Sequence, residues 1–519
     1  MAKRDVIQSL LSGILLALSF PNPLSVLKAD VYFGGLAWVA LAPLWVSLHG
    51  KTPRQGLQLG WITGFVSFIG MLYWVILAMH GYGGIPVGLS LMILVVLALY
   101  LGLYVGVFSA LLCMIQRRTA WALWMVAPPL WVALEYLRSV LLTGFPWENL
   151  GYSQYLALPV IQIAEATGVY GVTFLVVWVN ALISAGILEV RKTGKMPFRY
   201  PILTAVALGS VLAYGAIRLS QENGRTLNEE PIKIAIVQGN IDQGVKWEAA
   251  YQEETTEIYK TLTHEVAQGQ PDLVIWPETA VPFFFPLDQP LSSVVETIPI
   301  RTGVYLLFGS PFYLKRNEQI RYLNSAYLLT PEGDIVDRYD KIHLVPFGEY
   351  VPLSRFIPFI RPLVENVGDF VSGDDTRGVV VFPIPKGRFG VLICYEIIFP
   401  DLNRNLIRRG ADFLVTITND AWFGRTSAPF QHFSMAAFRA IENRAYVARA
   451  ANTGISGIIA STGEILAETG LFSRQTMTGE LFFRGPDTPY MRFGDVFAYA
   501  CIGWAVLLIV GSSVGTPRR

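Results

Sequence analysis

The sequence predicts a membrane α-helical bundle of eight spans with an α/β domain inserted between the seventh and the eighth. Three observations lead there. The 519 residues are 53% hydrophobic and only 15% charged, against roughly 25% charged in an average soluble domain. Up to residue 217, apolar runs follow one another, each long enough to cross a hydrocarbon core of about 30 Å. From 218 to 491 the composition becomes ordinary, and short apolar strands alternate with amphipathic helices.

The first seven spans are expected near 6–21, 31–48, 56–79, 86–115, 120–137, 159–188 and 200–217. Further spans follow the first directly and no small-residue cleavage site is evident, so it does not read as a cleaved signal peptide. The eighth, "FGDVFAYACIGWAVLLIVGSSVG", is expected near 493–514. This divides the chain into a bundle (1–217), a folded domain (218–491), and a last span with its tail (492–519). Loop charge sets the orientation. With the N-terminus inside, Lys3, Arg4, Lys51, Arg54, Arg117, Arg118, Arg191, Lys192, Lys195, Arg199, Arg518 and Arg519 lie on inner connections and tails, against Lys28 and Arg138 outside. The positive-inside rule then puts the domain on the outer, periplasmic face and the C-terminus in the cytoplasm.

Within the domain, strands are expected at 232–240, 272–278, 304–310, 325–330, 378–384, 388–396 and 413–420. Most are apolar along their whole length, as strands covered on both faces are. Ile258, Leu262 and Val266 recur at every fourth place of a helix between the first two. A second helix, about 429–450, carries Phe438, Ile441, Ala445 and Ala448 on one face. "PDLNRNLIRRGA" reads as a third helix, capped by Asp401. Strands and helices in this order make one layered α/β domain.

Three polar residues stand at strand ends or in loops. Glu278 follows "LVIWP", Lys341 lies in "YDKIHLVPFGEYVP", and Cys394 ends "FGVLI". The chain has three cysteines, and Cys394 is the one outside the apolar spans, so a free thiol is expected there. Side chains at strand ends can converge on one site. A thiol with a reference pKa of about 8.5 needs a base to become a nucleophile. Glu278 can take that proton. A charged Lys341 cannot, but suits the oxyanion of a tetrahedral intermediate, with the Tyr395 N–H as second donor. Taken singly, each residue has an ordinary reading: Cys394 as core, Glu278 as a turn carboxylate, Lys341 as a surface lysine. A Cys–His pair using His343 or His432 is the rival catalytic reading, although nothing in the local sequence provides a partner to orient either ring.

"WPET", "DKIHLVPFGEYVP" and "GVLICYE" resemble the Glu, Lys and Cys motifs of the nitrilase (carbon–nitrogen hydrolase) superfamily. With seven preceding spans and one after, the chain is similar along its length to the bacterial apolipoprotein N-acyltransferase family. The resemblance implies an αββα sandwich in the periplasm on an inner-membrane bundle. It implies Glu278 as base, Lys341 as oxyanion stabiliser and Cys394 as nucleophile, supported by Glu349, Tyr395 and Glu396, with Trp247 near the substrate entrance. It also implies the reaction, in which a phospholipid acyl chain passes through a cysteine thioester to the N-terminal amine of a diacylglyceryl apolipoprotein. A monomer without cofactor is expected.

Three stretches look suited to lipid: "VPFFFP" (281–286), "PLSRFIPFIRPL" (352–363) and "DAWFGRTSAPF" (420–430). The alternative is that they fold back as core. In the second, Phe356 and Phe359, flanked by Arg355 and Arg361, are the expected substrate-binding aromatics. "HGYGGIP" (80–86) reads as a flexible connection. A net charge of +1 gives no reason to expect a nucleic-acid partner. No zinc-like cluster or phosphate-binding glycine motif calls for a metal or nucleotide. A membrane-tethered amidase, with water as acceptor, is the alternative enzyme. A transporter is disfavoured, because ionisable residues within the spans are few, chiefly Glu135 and Glu165.

Overall fold

The computed structural model describes residues 2–23, 33–195, 197–226, 229–316, 319–346, 348–350, 370–373 and 378–514. The segment 352–363, with Phe356 and Phe359, lies outside the described residues. Five described helices are long and apolar enough to cross a membrane: Val87–Arg118, Leu123–Thr143, Val169–Thr193, Arg199–Arg225 and Val496–Ser513. Pro53–Leu72 and Trp74–Tyr82, bent by 47°, make a sixth if taken as one span. The first expected span is the helix Lys3–Leu18, whose 16 residues rise only about 24 Å, and the second is the shorter apolar helix Gly34–Leu48. Eight spans of full length are therefore not what the described residues contain.

The expected span 159–188 is also broken. Its first part folds into two short turns, Leu158–Ile161 and Ala164–Thr167, and the long helix begins at Val169. Gly168 makes the break at φ +62°, and a Cβ there would come within 2.6 Å of the Tyr490 ring, so glycine is needed twice over. Arg138 is not a loop charge. It lies buried in the helix Leu123–Val140, donating to the Phe145 and Trp147 carbonyls at 3.2 and 2.9 Å and to Asn149 Oδ1 at 2.6 Å.

The α/β domain is built on two six-stranded sheets. The first runs in the order β12 (Gln475–Leu481), β1 (Ile232–Gln238), β2 (Leu273–Ile275), β3 (Tyr305–Arg316), β4 (Gln319–Leu329), β5 (Ile335–Asp340). The second runs β11 (Ile465–Glu468), β10 (Gly457–Ile459), β9 (Val447–Ala451), β8 (Phe413–Thr418), β7 (Gly387–Ile393), β6 (Val381–Ile384). β1, β2 and β3 are parallel, as are β7, β8 and β9. Ile234, Ile275, Leu307 and Leu328 of the first sheet share one core with Phe389, Val391, Val415 and Ala448 of the second. The alternate residues Ala235, Val237 and Val274 turn outward under the helices Ala249–Ala267 and Leu291–Thr302, where Tyr259, Val266, Val295 and Ile298 cover them. Both faces are covered, which explains the unbroken apolar runs.

On the far side, Leu392, Leu414 and Val447 pack under the helices Pro400–Arg408 and Ala428–Asn443 in the same core as Trp74, Trp131 and Trp147 of the bundle. Sheet, helix layer and membrane helices are thus continuous. Buried polar ties cross the junction: Arg444 to Glu165 at 2.6 Å, Arg439 to the Tyr152 hydroxyl at 2.9 Å, and Gln162 to the Thr462 carbonyl at 2.9 Å. Glu165 also pairs with Arg218, and Glu135 accepts from the Leu150 N–H and Thr173 Oγ1. Both glutamates are committed to structure, which weakens the transporter reading further.

Two helix readings need correction. The helix predicted over 429–450 ends at Asn443, Arg444 turns left-handed (φ +47°), and 447–451 continues as strand β9. The alanine-rich run suits either state, and pairing with β8 decides it. Asp401 is not the cap of its helix. Phe399 holds that place, and Asp401 sits in the first turn as an acceptor for Arg404.

Candidate active site

The polar residues picked from the sequence gather at the carboxyl ends of β2 and β7 and at the end of β5, where one sheet faces the other. Glu278 lies just beyond β2, in a turn pressed against β3: the Gly309 N–H donates to the Pro277 carbonyl at 3.2 Å. A Cβ at Gly309 would sit 2.4 Å from the Thr279 nitrogen, so only glycine admits the approach. Lys246, 1% exposed, donates to Thr279 Oγ1 at 2.6 Å and the Glu278 carbonyl at 3.3 Å. Burial pulls this ammonium down to about 7. The Glu278 carboxylate accepts from Asn324 Nδ2 at 2.7 Å and from the Asn419 N–H at 2.8 Å.

Lys341 follows β5, and its N–H donates to the Asn324 carbonyl at 2.8 Å. Its Nζ lies 3.5 Å from Glu278 and 2.9 Å from Glu349, and Asn324 Nδ2 reaches Glu349 as well, at 3.0 Å. Burial alone would discharge this lysine, but the Glu349 and Glu278 carboxylates outweigh it and hold the group cationic. A permanently charged ammonium cannot be a general base. It can stabilise negative charge.

Cys394 directly follows β7, at φ +54°, as the first residue of the tight turn Cys394–Ile398. Burial and the nearby Glu278 charge push its thiol up, opposed by Lys341. Burial and that charge favour the protonated thiol, and a thiol so held needs a base to act as a nucleophile. Behind it, His432 Nε2 lies 3.2 Å from the Cys394 carbonyl, which can only accept, so the proton is on Nε2. Burial and Arg449 keep the ring neutral, leaving Nδ1 to accept from Arg449 at 3.0 Å. Asp420 pairs with Arg449 at 2.7 Å and stands 3.1 Å from Nδ1. His432 thus braces the Cys394 backbone. His343 lies against Phe399, with ring centroids 3.7 Å apart, and burial lowers it to about 4. Neither histidine is arranged as the thiol's base.

Glu396 is fully buried and joins the segments that carry Lys341 and Cys394. Its carboxylate accepts from the Ile393 N–H at 2.8 Å beside the cysteine, and from the Ile342 and His343 N–H groups at 2.7 and 3.1 Å beside the lysine. The Tyr339 hydroxyl adds a fourth donor at 2.8 Å. Tyr395 is buried, its ring edge-on to Phe399 at 5.1 Å. Trp247 is exposed and lines a groove of about 240 Å³ with Phe284, Pro311, Tyr322 and Phe370. Of the lipid-suited stretches, 281–286 folds back: Val281, Phe283 and Phe285 are core. By contrast, 420–430 docks on the bundle, Phe423 against Trp74 (4.9 Å) and Trp422 against Tyr82 (5.9 Å).

Sequence reasoning missed Asn324, Asn419, Lys246 and the Asp420–Arg449 pair that holds His432. An asparagine within a strand run, as at 324, is an available signal, because strands disfavour it. The others are brought in by tertiary contact alone.

Residues 12–182 match the apolipoprotein N-acyltransferase N-terminal domain, and residues 233–483 match the carbon–nitrogen hydrolase family. An apolipoprotein N-acyltransferase of Geobacter metallireducens is 44% identical over 98% of this chain and 95% of its own. That of Pasteurella multocida is 34% identical over 98% of this chain and 95% of its own. A solved nitrilase-superfamily amidase from Nesterenkonia AN1 shares 17% identity over 52% of this chain and 96% of its own, with a TM-score of 0.37.

Proposed function

The chain belongs to the apolipoprotein N-acyltransferase family, and from that premise we propose how these residues divide the reaction. It is an N-acyltransferase of lipoprotein maturation. Glu278 takes the Cys394 proton as sulfur attacks a phospholipid ester carbonyl, and Lys341 with the Tyr395 N–H stabilises the oxyanion. The ester C–O bond breaks, Glu278 returns the proton to the leaving lysophospholipid, and a thioester remains. The free α-amine of S-diacylglyceryl-cysteine then attacks the thioester and passes a proton to Glu278. The departing thiolate recovers it, and an amide has formed. Asn324 and Glu349 hold Lys341 and Glu278 in register, Glu396 ties the lysine and cysteine segments, and Trp247 borders the substrate groove.

The observation that carries this reading is that a neutral thiol, a hydrogen-bonded carboxylate and a locked ammonium meet on a layer continuous with the membrane helices. The chain is read as an inner-membrane protein with its domain, 218–491, in the periplasm. Among the described residues, seven apolar helical units precede that domain and one follows, which supports eight passages through the membrane, two of them by helices shorter than the rest. Taking Arg138 out of the loops sharpens the charge asymmetry. The test is intact mass spectrometry of the enzyme after exposure to phospholipid. A mass gain of one acyl chain is expected, absent in Cys394→Ala and discharged by an amine acceptor. Discharge by water at the same rate would favour the amidase, and no acyl adduct would end the proposal.

A further inference from the structure

At the outer end of the bundle, Glu148 is 3% exposed, and neither of its carboxylate oxygens has a hydrogen-bond partner. Its backbone is left-handed, at φ +52°, a conformation that a glutamate holds only when its surroundings impose it. Burial raises its pKa well above the ordinary carboxylate range. A buried, unpaired and strained carboxylate has three costs and no structural return within the chain. It borders a cavity of about 50 Å³ whose walls include Phe20, Phe68, Trp131, Glu135 and Arg138. At about 10 to 15 Å³ per water, that is space for roughly four waters or the end of a small amine.

The other polar groups lining this cavity are already engaged, which leaves Glu148 without a partner. Arg138 is committed to two carbonyls and Asn149, and Glu135 to Leu150 and Thr173. Ionised, Glu148 would make two carboxylates against one guanidinium, so its charged form has no cationic partner in the chain and an ammonium would supply one. A carboxylate beside aromatic faces is the chemistry that recognises an ammonium. The cavity is also linked to the Cys394 segment through packed side chains. Trp147, next to Glu148, donates to Gln431 Oε1 at 2.9 Å and stacks on His432 at 5.7 Å, and His432 braces Cys394. Gln431 in turn donates to the carbonyls of Pro21 and Met71, at 3.0 and 3.2 Å, and Met71 lines the cavity.

We propose that the Glu148 cavity is a subsite for a primary ammonium group, carried either by the headgroup of the acyl donor or by the acceptor amine. The inference rests on the acyl-transfer reading above. Its test uses full-length enzyme in nanodiscs and phospholipids of identical acyl chains with ethanolamine, choline or glycerol headgroups. If the headgroup is bound, thioester formation is fastest from the ethanolamine lipid, and Glu148→Gln lowers that advantage by roughly tenfold or more while Cys394 alkylation by a small reagent is unchanged. If the acceptor amine is bound, Glu148→Gln slows discharge of preformed thioester instead. On wild-type enzyme, soluble ethanolammonium should inhibit the affected half-reaction and choline should not. The proposal is overturned if Glu148→Gln changes neither half-reaction, if it slows all donors alike, or if ethanolammonium and choline act equally. Thioester formation itself reports separately on the underlying reading.

Discussion

Replacing Lys341 by methionine removes the ammonium that sits between two buried carboxylates. In the wild-type structure its Nζ is 3.5 Å from Glu278 and 2.9 Å from Glu349. At an effective dielectric of about 20, each contact carries about 5 kcal/mol of attraction. Without it, two buried carboxylates that share Asn324 as a donor face each other with no cation between them. A destabilisation of about 3 to 5 kcal/mol is expected. Loss of an oxyanion donor adds a fall in acylation on the order of 10² to 10³. The second variant, Lys341→Met with Glu349→Gln, separates the two effects, since Glu278 is then the single carboxylate of the pair. It should recover most of the thermal stability in detergent but little of the acyl-enzyme rate, followed by intact mass. If the double variant forms thioester at the wild-type rate, Lys341 only balances charge and the oxyanion role is wrong.

Glu278→Gln should abolish acyl-enzyme formation while shifting the pH midpoint of Cys394 alkylation downward, because the carboxylate that raises the thiol is gone. Lys341→Met should shift it upward, and a midpoint unmoved in both would uncouple these groups from the thiol. Glu396→Gln puts an amide donor where four N–H and O–H donors converge. A stability loss of about 1 to 3 kcal/mol with reduced kcat is expected, and normal melting and turnover would dismiss the clamp. A membrane-impermeant thiol reagent should label Cys394 in spheroplasts without lysis, since Cys113 and Cys501 are buried. Labelling that appears only after lysis would reverse the orientation.

Sequence alone determined the division into apolar bundle and α/β domain, and the three motifs around Glu278, Lys341 and Cys394. Each of these rests on local pattern: span length, strands covered on both faces, and residue type at a strand end. The strands β5, β11 and β12 escaped because they are polar or alternating segments, and all three are sheet edges. β9 escaped because its alanines fit a helix until β8 pairs with them. Where the sixth span breaks was likewise decided by packing, at Gly168 against Tyr490. Only the tertiary structure brought Asn324 between two glutamates, set His432 on the Cys394 carbonyl rather than the thiol, and left Glu148 unpaired. The physical reason is that each depends on partners from distant parts of the chain, and no local periodicity encodes which buried polar group will find one.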